Sequence, residues 1–173
     1  MAVKPHPFNR TRAEKLLRCL DSSGWSLFII RGNSILFSTD QPGVRPLLAI
    51  ARKFRSGLAG ATVVDRVVGI CAARVFCHLR ASSVVARTLS RTGLDLLAQF
   101  RIPCFYQELV EHIRNRAGSD ICPFEKLASK IPEPGQLLRE IEKKIKKGGT
   151  GSAQNPPVVT NLRSAPGREK ASR

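Results

Sequence analysis

From Ser82 to Leu109 the chain passes from a strand-like run through Val84 and Val85, to apolar residues at helical spacing (Leu94, Leu97, Ala98, Phe100), to a second strand-like run that begins at Ile102. Strand, helix and strand in that order imply a parallel crossover, because a right-handed connection packs the helix back onto its sheet. This one pattern points to the α/β class.

The segments upstream fit such a sheet. Thr11 to Leu20 places Ala13, Leu16, Leu17 and Leu20 on one helical face, and Asp21-Ser22-Ser23-Gly24 stops it. Trp25 to Arg31 and Ser34 to Ser38 flank the turn pair Gly32-Asn33 and predict a β-hairpin. Pro46 opens a helix whose apolar side runs through Leu47, Leu48, Ile50 and Ala51 to Phe54. Val67 to Leu79 is long for a strand and rich in small residues, which predicts a central helix with Asp65 at its start. Beyond the second strand, Val110 to Arg116 reads as helical and Ala117 to Asp120 as a loop. Pro123 then opens a helix reaching about Ile131.

The domain expected from these segments covers residues 11–131, after a flexible start at 1–10. Residues 132–147 read as a charged extension of helical composition. Residues 148–173 contain Gly, Pro, Ser, Asn and basic side chains with little to bury, and are expected to be disordered. The 42% apolar content of 173 residues suffices for one core. No stretch approaches the roughly 18 to 20 apolar residues that span a bilayer, and no apolar run follows Met1. These features imply a cytoplasmic protein without membrane contact.

The net charge of +16 raises the question of a polyanionic partner. Residues 143–173 hold eight basic side chains against Glu169 alone, and the remaining excess is scattered without a dense run. Weak, nonspecific nucleic-acid binding is therefore one expectation, and a generally basic surface is the plainer one. Five cysteines without short paired spacing suit reduced thiols.

Two segments carry candidate chemistry. In the first, Asp65 caps the expected helix start, Gly69 leaves room for a backbone or a ligand, and Arg66 adds positive charge. This suits either tight packing or an anion at a helix N-terminus. In the second, Asn115-Arg116 precede Cys122-Pro123-Phe124-Glu125. Cys122 then stands before a helix, where the dipole favours a thiolate, with Glu125 one turn on as proton acceptor or cap partner. No Cys-x-x-Cys, His-x-Glu or glycine-rich phosphate loop occurs, so neither a metal nor a cofactor is expected. His112 reads as a partly exposed helix residue, not a general base.

Taken together, Gly43 to Leu48, Asp65 to Ala73, and Asn115-Arg116 through Cys122-Pro123-Phe124-Glu125 resemble the family catalogued as domain of unknown function 1893, from about Arg12 to Lys130. The resemblance implies a cytidine-deaminase-like fold, a three-layer αβα arrangement with a mixed sheet of four to five strands. The deaminases' zinc-ligand motifs are missing here. It also implies that the two segments form one site. Its ligand is expected to be small and anionic or nucleotide-like, bound by Arg66, Gly69, Asn115 and Arg116. The alternative is an enzyme using Cys122 with Asp65 or Glu125. The sequence names no oligomeric state.

Overall fold

Strand formers and a turn glycine set one edge of the sheet. Leu27–Arg31 (β1) and Ser34–Thr39 (β2) pair antiparallel across Gly32, whose φ of 58° suits a residue without Cβ. The computed structural model describes residues 9–147, and the sheet continues through Thr62–Val68 (β3), Ser83–Ser90 (β4) and Cys104–Val110 (β5). The order is β2-β1-β3-β4-β5: β1 runs antiparallel to both its neighbours, and β3, β4 and β5 are mutually parallel. The sheet is thus mixed, five-stranded and flanked by helices.

Ile70–His78 (α3) joins β3 to β4, and Arg91–Gln99 (α4) joins β4 to β5. Both crossovers step in the same direction along the sheet, so both helices pack on the same face. Arg45–Lys53 (α2), Pro123–Lys130 (α5) and Pro134–Lys147 (α6) join them there. Their shared core includes Leu27, Ile29, Val63, Phe76, Val84 and Leu97, with Leu137 and Ile141 of α6 fully buried. Arg10–Ser23 (α1) covers the opposite face, setting Ala13, Leu16, Leu17 and Leu20 on Phe28, Ile30, Val64 and Val85. Each leucine so covered contributes about 1.5–3 kcal/mol relative to exposure.

The expected central helix is shorter and later than the sequence suggests. Residues 62–68 form β3, in which Asp65 pairs in register with Leu27 and Ala86 and does not cap a helix. Val63, Val64, Val67 and Val68 are β-branched and favour the strand, and extended Gly69 separates it from α3. The apolar run hid this switch because the last strand residues, Val67 and Val68, continue across a single glycine into the apolar, mostly buried α3.

The helix expected from Val110 to Arg116 is also replaced. The β5 strand runs to Val110, and the following loop is closed by a bridge between Arg114 and Ile121. Asn115 organises it: its carbonyl accepts from the Gly118 amide at 3.0 Å and its side chain from the Ser119 amide at 3.1 Å. The 132–147 extension is a helix, but one that belongs to the core. Residues 1–8 and 148–173, which take in most of the expected flexible start and all of the basic tail, lie outside the described residues.

Candidate functional site

Helix α3 begins one residue after β3, which leaves its first amides facing outward. They are met by a side chain 55 residues away. Glu125, in the first turn of α5, accepts from the Ile70 amide at 2.8 Å and from the Cys71 amide at 3.1 Å. Glu125 is only 7% exposed, so burial raises its pKa, while the two amides and the nearby His112 pull it back. Gly69 makes the contact feasible, since a Cβ there would lie 2.3 Å from the Glu125 carboxylate. A Cβ on Gly93 at the start of α4 would in turn sit 3.1 Å from the Gly69 carbonyl carbon. The space left open at Gly69 therefore receives an internal carboxylate.

Beside this contact, at the carboxyl end of β3, lies a cavity of about 220 Å³. Asp65 and Arg66 of β3, Glu125 of α5, and Gly69 and Cys122 just ahead of two helices all line it, together with Cys71 of α3. Apolar walls come from Leu27, Val44, Leu47, Ile113 and Phe124, and Val67 stands 46% exposed beside them. Asp65 is half-buried. Desolvation raises its pKa to about 7, against the opposing pull of the Val67 and Arg66 amides. Its Oδ1 accepts from the Val67 amide at 3.1 Å.

Arg66 lines the cavity, but its guanidinium is engaged elsewhere. It donates to the Trp25 carbonyl at 2.7 Å and the Leu20 carbonyl at 3.2 Å, and pairs with Asp21 at 3.7 Å. Asn115 and Arg116 are not among the lining residues: Asn115 closes its own loop, and Arg116 is exposed. Sequence reasoning missed Cys71, whose thiol is pushed well above its ordinary value by burial and then by the Glu125 charge. Its position in an apolar run marks it only as buried. Among the described residues, no group of three or more His, Cys, Asp or Glu is placed to hold a metal ion, and no helix is long and apolar enough to cross a membrane.

No curated protein matches the chain. The crystal structure of a DUF1893 family protein from Thermotoga maritima superposes with a TM-score of 0.71. That protein is 23% identical, and the match covers 83% of this chain and 97% of the other, so the two share a fold. The family model described as domain of unknown function (DUF1893) matches residues 15–145. The match spans β1 to β5 and most of α6, and with it every side chain that lines the cavity, so this chain belongs to the DUF1893 family.

Proposed function

We propose that the cavity binds a small, uncharged, ring-sized molecule that presents N–H donors to Asp65, such as the base-like part of a nucleotide-like ligand. The observation that carries this reading is the gathering of Asp65, Cys71, Cys122 and Glu125 around one cavity with apolar walls. At about 220 Å³ it is smaller than the roughly 300–1,000 Å³ of a drug-sized site. An acid with a pKa near 7 accepts an N–H when ionised and donates when protonated, so Asp65 suits a ligand with both kinds of edge.

An anionic group inside the cavity is disfavoured by the same arrangement. Glu125 already occupies the α3 amides that an anion would use, and the Arg66 guanidinium is spent on the α1 side. Any phosphate of the ligand would lie outside, toward solvent. A cytidine-deaminase-like ancestry fits this reading, with the ligand at the carboxyl end of a central strand. A second reading, a reaction at Cys122 assisted by Asp65, rests on their presence at one cavity.

The test is a thermal-shift series with free nucleobases, nucleosides and nucleoside monophosphates. A base or nucleoside should raise the Tm of the wild type, and Asp65→Asn should lose most of that gain. Stabilisation by phosphorylated compounds alone, unchanged in Asp65→Asn, would overturn the proposal. Binding that falls steeply with salt and ignores the base would instead favour a polyanion partner.

A further inference from the structure

We propose that Cys71 and Cys122 are a redox dithiol that a hydroperoxide converts to a disulfide in the wall of the cavity. The two residues lie 51 positions apart, yet both line the cavity. Cys122 is half-buried, just before α5, with its amide held by the Ile113 carbonyl at 2.8 Å. One turn further on, Glu125 holds the Cys71 amide at 3.1 Å. A single helical turn and one side chain thus connect the two backbones. The electrostatics agree, since a charge on Cys122 contributes to raising the Cys71 thiol.

Their unequal settings give the two thiols different parts. Cys122 is the accessible one, half-buried at the rim of α5, where a peroxide can reach its sulfur. Cys71 is 2% exposed, and burial keeps it protonated. In the first step the Cys122 sulfur attacks a peroxide oxygen: an S–O bond forms, the O–O bond breaks, and the leaving alkoxide or hydroxide takes a proton from water. In the second step the Cys71 sulfur attacks the Cys122 sulfur: the S–S bond forms, the S–O bond breaks, and the departing hydroxide takes the Cys71 proton as water. Two thiols lose two electrons, and the peroxide is reduced to an alcohol, or to water, plus water.

The other cysteines are internal controls. Cys19 lies on α1 across the sheet, Cys104 begins β5, and Cys77 sits at the far end of α3, where burial pushes its thiol up to about 11. A disulfide requires Cα atoms roughly 4.4–6.8 Å apart. From Cys71 to Cys77 along α3 the rise is about 9 Å, too far for them to bridge.

The experiment treats the full chain with hydrogen peroxide, quenches with an alkylating agent under denaturing conditions, and maps the tryptic peptides. Cleavage after Lys and Arg places each of the five cysteines in its own peptide. The expected product joins the peptide 67–74 to the peptide 117–126 and is released by dithiothreitol. Cys122 should react about tenfold faster than Cys77. In Cys71→Ser, Cys122 should stop at a sulfenic acid trapped by dimedone. Two results would overturn the proposal: no linked peptide in the wild type while Cys122 over-oxidises as fast as it does in Cys71→Ser, or links that form equally with Cys19, Cys77 or Cys104. The wild-type mapping stands even if the variant folds poorly, and it requires no knowledge of the cavity's ligand.

Discussion

The two crossover helices end alike and begin differently. At the end of α3, Arg80 takes a φ of 56°, with its amide on the Cys77 carbonyl and the Ala81 amide on that of Phe76. At the end of α4, Arg101 takes the same φ, with its amide on Ala98 and the Ile102 amide on Leu97. Both are Schellman closures with an arginine where glycine is usual. At their starts the symmetry breaks. The α4 helix is capped by its own neighbour, since the Ser90 hydroxyl accepts from the Gly93 amide at 3.0 Å. The α3 helix has no such residue, because Gly69 stands at the cap position, and it takes Glu125 from α5 instead.

The difference teaches how the cavity is built. A local cap needs nothing beyond its own turn, so the α4 start is self-contained. An imported cap ties α3 to α5 and brings Cys122 and Phe124 to the cavity beside Asp65. The cavity takes this lining because one helix start was left for another part of the chain to complete.

The sharpest way to break this comparison is to remove the imported cap. Glu125→Ala leaves two amides unsatisfied and opens a void, and should cost about 3 kcal/mol in denaturant unfolding. Gly69→Ala should cost about 2 kcal/mol, since φ of −101° is ordinary and the loss comes from displacing the Glu125 carboxylate. The two should be strongly non-additive in a double-mutant cycle. Additive costs would mean that Gly69 and Glu125 do not act through one contact.

Ser90→Ala tests the other side of the comparison, with an expected loss of about 1 kcal/mol. It should leave the oxidation behaviour of Cys122 as in the wild type. A change there would show that the α4 start is not independent of the site.

The equivalence of the helix ends predicts that Arg80→Gly and Arg101→Gly each stabilise by about 0.5 kcal/mol, since glycine meets no Cβ penalty in the left-handed region. Unequal or opposite effects would break the symmetry claimed for them.

At Asp65 the size of the effect depends on pH. An unfolded aspartate releases its proton near 3.8, whereas the folded chain holds it to about 7. Between these values the folded state binds more protons, so stability declines as pH rises through that window. Relative to wild type, Asp65→Asn should therefore gain Tm between pH 4 and pH 8. A difference in Tm that stays flat over this range would contradict the raised acid.

Much of the fold was legible because its signals are local. The hairpin around Gly32, the α1 stripe of Ala13, Leu16, Leu17 and Leu20, and the strand-helix-strand run from 82 to 109 each carry their own periodicity. The hidden strand β3 was not legible, because Asp65-Arg66 in its middle read as a helix start and its last residues, Val67-Val68, lead with one glycine between into the apolar, mostly buried α3. Leu137 and Ile141 in α6 were missed because the apolar stripe Leu137, Leu138, Ile141 and Ile145 is outnumbered by the charged residues around it, and only a core that receives it shows its weight.

For the site, the residue types were visible and the partnerships were not. Asp65, Gly69, Cys122 and Glu125 stood out by the chemistry of their segments, and they do line one cavity. Arg66, Asn115 and Arg116 stood out equally, yet Arg66 turns to α1, Asn115 closes a loop and Arg116 faces solvent. Amino-acid order by itself determined the layered α/β sheet, because strand and helix preferences act over a few residues. Only the tertiary structure decided that the α3 start would hold a carboxylate from the same chain. That contact joins residues 55 positions apart, and its energy depends on burial that no local pattern records.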